Sequence, residues 1–134
     1  MSSHSDSLHR EITPSDVSSP AVNYAHARLT TAATRWLHTS GVVPIAPDGT
    51  VPQTVVDQAE VIWHNIAAML RDAEMSPADV VSVTTYVTPG LELAPVMAVR
   101  DNALEGNLAA STLVVVAELA RPEWLMEIAV IAAR

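Results

Sequence analysis

The chain has 134 residues, a formal net charge of −8 and no cysteine, and its seven permanently cationic side chains are all arginines. This composition predicts a single domain with a packed core, and it excludes the basic surface that nucleic acid or an anionic membrane requires. It also excludes disulfides, thiolate nucleophiles and Schiff-base catalysis by lysine. We therefore expect a cytoplasmic protein without a cofactor and without a nucleic-acid or membrane partner.

The N-terminal segment, residues 1–18, is polar and rich in serine, and we expect it to be a flexible tail. Residues 19–134 are expected to form the single domain, in which no internal repeat is visible. At the start of this domain, residues 25–29 and 34–39 have the composition of strands. They are predicted to pair with each other as a hairpin.

The clearest helix is predicted over residues 54–75, where apolar side chains recur every three to four residues. Thr54 is the expected N-cap, and Asp57 follows three residues later in the position of a capping box. Ser76 and Pro77 then begin a single further turn, because proline is favoured at the first helical position.

The second half of the chain alternates predicted strands with one helix. Residues 80–87 alternate β-branched and polar side chains, as a strand does, and residues 91–105 have a helical composition. Two strands follow, over residues 112–117 and 125–131. The predicted order is β-β-α-β-α-β-β, which is an α+β fold with one mixed sheet and both helices on one face.

The strands of this second half carry apolar residues on both faces, whereas the two helices can cover only one face. A chain of this length has no further element for the second face. A homo-oligomer that packs sheet against sheet would cover it, so we predict a closed ring.

Three collinear segments carry a family resemblance: LHTSGVVPIAPDGTV from Leu37, QAEVIWHNIAAMLRDAEMSPADVVSVTTYVT from Gln58, and the end of the chain from Ala110. On these segments the chain resembles the RidA/YjgF/YER057c/UK114 family. The resemblance implies a chorismate-mutase-like, YjgF-type fold (the endoribonuclease L-PSP-like fold) and a homotrimer with a central barrel and ligand clefts between subunits. It also implies hydrolysis of 2-imino or 2-aminoacrylate acids to 2-oxo acids and ammonia.

The resemblance further implies which residues form the cleft. Glu127 on the last strand would position or activate water, and Tyr24 would be the second catalytic residue. The expected substrate-binding residues are Ser40, Gly41, Ala110, Ser111, Thr112, Met97 and Arg121.

Two of these positions depart from the family pattern. Ala110 stands where the family has an arginine that binds the substrate carboxylate through a bidentate pair. Met97 stands where the second helix usually has an asparagine. Arg121 or Arg28 could supply the missing positive charge, provided that its geometry suits the ligand.

Glu127 is conspicuous even without the resemblance, because a carboxylate in an apolar strand is costly unless it faces a cleft or a partner. The alternative is a structural carboxylate bonded to backbone amides or to an arginine. Tyr24 could equally be an interface tyrosine. The five histidines do not have the spacing of metal ligands, so we predict no metal site.

Two functions therefore remain open from the sequence. The first is a divergent enzyme that acts on an imine, an enamine or a similarly activated small molecule, by deamination, hydrolysis or proton transfer as in a tautomerase. The second is a non-catalytic trimer of the same fold that binds a small molecule or a protein.

Overall fold

The computed structural model describes residues 8–134, which form two sheets and two helices. The strands are β1 (His9–Ile12), β2 (Ala27–Thr30), β3 (Trp36–His38), β4 (Val80–Val87), β5 (Ala110–Val115) and β6 (Met126–Ala133), and the helices are α1 (Val55–Asp72) and α2 (Ala94–Ala103). Four strands form a mixed sheet in the order β3-β6-β4-β5, with β4 and β5 parallel and the other pairs antiparallel. β1 and β2 form a separate antiparallel ribbon. The predicted α+β class with a mixed sheet is confirmed.

Local signals place the first helix as predicted. Thr54 is the N-cap, and its hydroxyl accepts a hydrogen bond from the backbone N–H of Asp57 at 3.2 Å. A short 3-10 turn at Pro77–Asp79 precedes β4, and the backbone N–H of Ser76 donates to the Asp79 carboxylate at 2.9 Å. β4 has its predicted bounds, whereas β5 begins before residue 112 and β6 continues past residue 131.

The predicted hairpin between residues 25–29 and 34–39 is wrong. β2 pairs with β1 instead, and β3 pairs with the C-terminal part of β6. The backbone N–H groups of Thr34 and Arg35 both donate to the carbonyl of Arg134. The backbone groups of this segment are thus satisfied by the end of the last strand, which leaves β2 free to pair elsewhere.

The N-terminal segment contains a strand that its polar composition does not indicate. β1 pairs with β2, and the His9 ring is hydrogen-bonded to Thr30 Oγ1 at 3.0 Å and to the Ala133 carbonyl at 2.9 Å. Residues 1–7 lie outside the described residues. The boundary of the expected tail at residue 18 stays a prediction.

Both helices lie on one face of the four-stranded sheet, where they also contact each other. Side chains of β4 and β6 alternate between buried and half-buried, because successive residues of a strand point to opposite faces. The core that they form with the helices includes Ile62, Ile66, Leu70, Val83, Val87, Val96, Met126, Ile128 and Val130.

The face opposite the helices is called the open face here. The strand register places the following side chains on it: Trp36 and His38 from β3, Ser82, Thr84 and Tyr86 from β4, Ala110, Thr112 and Val114 from β5, and Glu127, Ala129 and Ile131 from β6. Ala133, which pairs with Trp36 on this face, is buried, whereas the residues named above are half-buried or exposed. The open face therefore has no closed apolar core of its own within one chain.

Candidate functional site

Glu127 lies half-buried on the open face, directly opposite Tyr86 of β4. The loop after β3 reaches it through Val42, whose backbone exchanges hydrogen bonds of 2.7 and 3.1 Å with Ile128. This bridge brings Gly41 so close to the carboxylate that a Cβ at position 41 would overlap the Glu127 side chain. The glycine of the predicted Ser-Gly pair is therefore required for the close approach of the carboxylate.

A cavity of about 430 Å³ adjoins the same loop. Most of its lining is apolar and includes Leu37, Val42, Val43, Ile45 and Met69, together with Ser40. Glu127 is not among the lining residues, so its carboxylate faces the surface of the sheet rather than this cavity. Ser40, Gly41 and Glu127 form one group at this end of the open face.

Tyr24 belongs to a segment that joins the other end of the open face. The next residue, Ala25, forms a parallel bridge to Ala110 at the start of β5. The Tyr24 ring contacts His26 edge-on, with 5.9 Å between the ring centroids, and its hydroxyl accepts a hydrogen bond from the backbone N–H of Ala21 at 3.4 Å. The ring therefore folds back onto its own segment.

The two predicted catalytic residues thus lie at opposite ends of the open face. Ala110, next to the Tyr24 segment, pairs with Ser82, whereas Glu127 pairs with Tyr86, further along β4. The four residue steps from Ser82 to Tyr86 correspond to roughly 13 Å of strand. A single chain does not assemble Glu127 and Tyr24 into one site.

The predicted corner residues divide between the two faces, because side chains alternate along β5. Thr112 is exposed on the open face opposite Thr84. Ser111 points toward the helices, where its hydroxyl accepts a hydrogen bond from Arg100 Nη1 at 3.3 Å. Met97 of α2 is half-buried and packs against the core. Of the predicted corner residues, Ala110 and Thr112 thus lie on the open face, whereas Ser111 does not.

Arg100 is a buried residue that the sequence reasoning did not select. It is 4% exposed, and its guanidinium bonds the Asp101 carboxylate at 3.0 and 3.1 Å and the carbonyl of Asn23 at 2.8 Å. Together with its bond to Ser111, these contacts fasten the Tyr24 segment to the start of β5. The sequence indicates this burial through the position of Arg100 four residues after Val96, on the apolar side of α2.

The two arginines proposed from the sequence as replacement cations have other contacts. Arg121 lies over the Trp124 ring, with its guanidinium carbon 5.6 Å from the ring centroid. Arg28 donates a long hydrogen bond of 3.4 Å from Nη2 to Asn107 Oδ1. Arg121 thus lies against the turn before β6, whereas Arg28 bonds a residue three positions before Ala110 and has a buried Nε without a hydrogen-bond partner.

Among the described residues, one carboxyl away from the open face has a shifted pKa. The Thr50 hydroxyl and backbone N–H both donate to Asp48 and hold the pKa of that carboxyl below its ordinary value. Among residues 8–134, no group of three or more histidine, aspartate or glutamate side chains could hold a metal ion. Neither helix in this range is both long and apolar enough to cross a bilayer.

The mixed sheet with both helices on one face defines a small α+β domain of the YjgF type. The chain belongs to the family described as Endoribonuclease L-PSP, whose profile matches residues 16–134. This is the RidA/YjgF/UK114 family, so the resemblance inferred from the sequence segments is confirmed.

Solved structures of this family match almost the whole chain. YyfB of Yersinia pestis, a Rid-family protein of unknown function, matches with a TM-score of 0.84 and 30% identity over 96% of this chain and 100% of that chain. Escherichia coli YjgF matches with a TM-score of 0.69 and 26% identity over 93% and 98%. Escherichia coli TdcF, solved with bound serine, has a TM-score of 0.69 and 24% identity over 93% and 98%, which shows the fold alone. No curated protein matches the chain.

Proposed function

We propose that this protein is a divergent RidA-like enzyme that acts on an imine, an enamine or a similarly activated small molecule. The observation that carries the proposal is the placement of Glu127: an open carboxylate held against Gly41, with the Tyr86 phenol opposite it. A carboxylate in this setting suits proton transfer to and from water. The expected reaction class is deamination by hydrolysis, with tautomerisation as the simpler proton transfer at the same group.

In the hydrolytic reaction the imine reacts as its protonated iminium, and water adds to the carbon of the C=N bond while giving a proton to Glu127. The carboxyl then returns this proton to the nitrogen of the carbinolamine, the C–N bond breaks and ammonia leaves. The carbinolamine hydroxyl loses its proton as the carbonyl forms, and ammonia takes up that proton as ammonium. Glu127 would act first as a general base and then as a general acid.

The cleft is proposed to form between subunits of a homotrimer. The separation of roughly 13 Å between the two ends of the open face supports this assembly, because Glu127 of one chain could then meet Tyr24 of the partner subunit. The open face would pack inside the central barrel and cover its apolar side chains. Ser40, Gly41 and Thr112 would line the cleft, and the cytoplasm remains the expected location.

The first experiment measures 2-oxo acid release from 2-aminoacrylate and 2-iminobutanoate that a dehydratase generates in place. Glu127→Gln is the variant that removes the proposed base while keeping its volume, and Ala110→Arg restores the cation that the family pattern has. We expect Glu127→Gln to lose at least about a hundredfold in rate on any imine that the wild type hydrolyses. An equal rate in wild type and Glu127→Gln would contradict the role of Glu127.

The alternative is a non-catalytic trimer that binds a small molecule or a protein. Two observations favour it: the apolar cavity of about 430 Å³ beside Ser40, and the bound serine in the structure of TdcF, a protein with the same fold. If neither the wild type nor Ala110→Arg accelerates hydrolysis of these imines or of 1-pyrroline, an imine without a carboxylate, this alternative becomes the better account. Size-exclusion chromatography with light scattering tests the trimer, which both functions require.

A further inference from the structure

The open face is unusual in its charge. Besides Glu127, the side chains placed on it by the strand register are hydroxyls, an imidazole, an indole and aliphatic groups. No arginine is among these open-face residues. The face of the described chain therefore offers a ligand one carboxylate and no guanidinium.

The arginines near the sheet are held by contacts elsewhere. Arg100 lies on the helix side, bound to Asp101 and Ser111. Arg35 donates to carbonyl groups at the end of α1, and Arg134 pairs with Asp79 at 3.6 Å. Arg28 and Arg121 have the contacts described above.

The last two arginines belong to elements that do not form the open face. Arg71 lies in the last turn of α1, and Arg10 lies on β1, opposite Leu29 of the separate ribbon. None of the seven arginines is therefore placed by its element or its contacts to receive an anionic group at the Glu127 end.

On this basis, and resting on the function proposed above, we infer that the substrate is a neutral imine or a cationic iminium that carries no carboxylate or phosphate. The Glu127 carboxylate attracts a positively charged nitrogen and repels a second anion at the same distance, and the net charge of −8 adds to this preference. A ligand with its own carboxylate would meet no guanidinium on the open face beside Glu127, so the desolvation of that carboxylate would not be offset there.

The test uses two pairs of probes that differ by one carboxylate. Pyrrolidine and proline are stable mimics whose binding is measured by calorimetry or ligand-observed NMR, independently of catalysis. 1-Pyrroline and 1-pyrroline-2-carboxylate are the corresponding cyclic imines, and their hydrolysis is followed as ring opening to an amino aldehyde and an amino 2-oxo acid, whose carbonyl group is trapped before the ring closes again. We expect the probe without the carboxylate to bind at least roughly tenfold more tightly in each pair.

Two variants and one condition show whether the preference comes from charge. Glu127→Gln is expected to abolish the preference, and Ala110→Arg is expected to shift it toward the carboxylate-bearing probe. Raising the salt concentration should weaken the preference in the wild type, and this measurement does not depend on any variant folding well. Circular dichroism confirms that each variant is folded.

The outcomes separate this inference from the proposed function. A preference for pyrrolidine without hydrolysis of either imine would support the charge selection and count against the enzyme. Equal hydrolysis of both imines would support the enzyme and overturn the charge selection. Equal binding of pyrrolidine and proline, tighter binding of proline, or binding of neither probe at millimolar concentration would also overturn it.

Discussion

The two faces of the four-stranded sheet belong to the same strands but differ in burial and in the side chains that they carry. On the helix side, residues such as Val83, Ile128 and Val130 are almost fully buried, and their packing holds the domain together. On the open face, Trp36 is 52% exposed, and Glu127 stands among hydroxyl and small apolar groups. The comparison shows that the fold is stabilised by one face, which leaves the other free to carry a charge that a core would not tolerate.

The largest loss of stability is expected when an isoleucine of β6 is truncated to alanine on the helix side of the sheet, and the same truncation on the open face provides the comparison. Ile128→Ala is expected to lower the free energy of unfolding by about 2–5 kcal/mol, because it opens a cavity beside α1. Ile131→Ala deletes the same atoms on the open face, where the side chain is only half-buried in one chain. Its cost should be clearly smaller at low protein concentration, as measured by urea denaturation.

Repeating both measurements over a range of protein concentrations sharpens the comparison. If the open face packs in an oligomer, the cost of Ile131→Ala should grow with concentration, whereas that of Ile128→Ala should change less. An equal cost for both variants at every concentration would contradict the assignment of the two faces.

A smaller loss of stability is expected from substitution of Arg100, which lies on the helix side of the sheet. Arg100→Met should cost about 1–3 kcal/mol, because it leaves the Asn23 carbonyl and the Ser111 hydroxyl without their donor. Asp101 is 34% exposed and can be hydrated, so the cost stays below that of a fully buried pair. Faster hydrogen exchange at the Ala25 amide would show that the Tyr24 segment has loosened.

Arg71→Met is the matched control for this prediction. Arg71 is an exposed arginine in the last turn of α1, so its loss should change stability by less than about 0.5 kcal/mol. If Arg100→Met were as mild as Arg71→Met, with no change in exchange at Ala25, the fastening role of Arg100 would be refuted.

The smallest effect on stability is expected at Gly41, on the open face. Gly41→Ala should cost about 1 kcal/mol or less, because the added methyl meets the end of a flexible side chain that can rotate away. The displaced Glu127 carboxylate should nevertheless lose most of the preference for pyrrolidine over proline. In a Glu127→Ala background the same substitution should have almost no effect on stability, and a cost that persists there would disprove the contact.

Local patterns predicted much of the fold. The alternation over residues 80–87 and the cap at Thr54 are both present, because each depends on neighbours a few residues away. The partner of β3 was not predictable in this way, since strand pairing joins segments distant in the chain. The burial of Arg100 depends in the same way on the Asn23 carbonyl, which is supplied by a distant segment.

The candidate site was predictable residue by residue but not as an arrangement. The resemblance pointed separately to Gly41 and Glu127, and only the bridge between Val42 and Ile128 brings them into contact. It gave no sign that Ser111 faces the helices while its neighbour Thr112 faces the open side. That division follows from the register of β5, which a single sequence does not specify.

The separation of Glu127 and Tyr24 along the open face has a genetic consequence if the proposed trimer forms. A chain with Glu127→Gln still contributes an intact Tyr24, and a chain with Tyr24→Phe still contributes an intact Glu127. In every ring that mixes the two chains, one cleft receives both intact residues. Two inactive alleles expressed together should therefore complement each other, although neither yields activity alone.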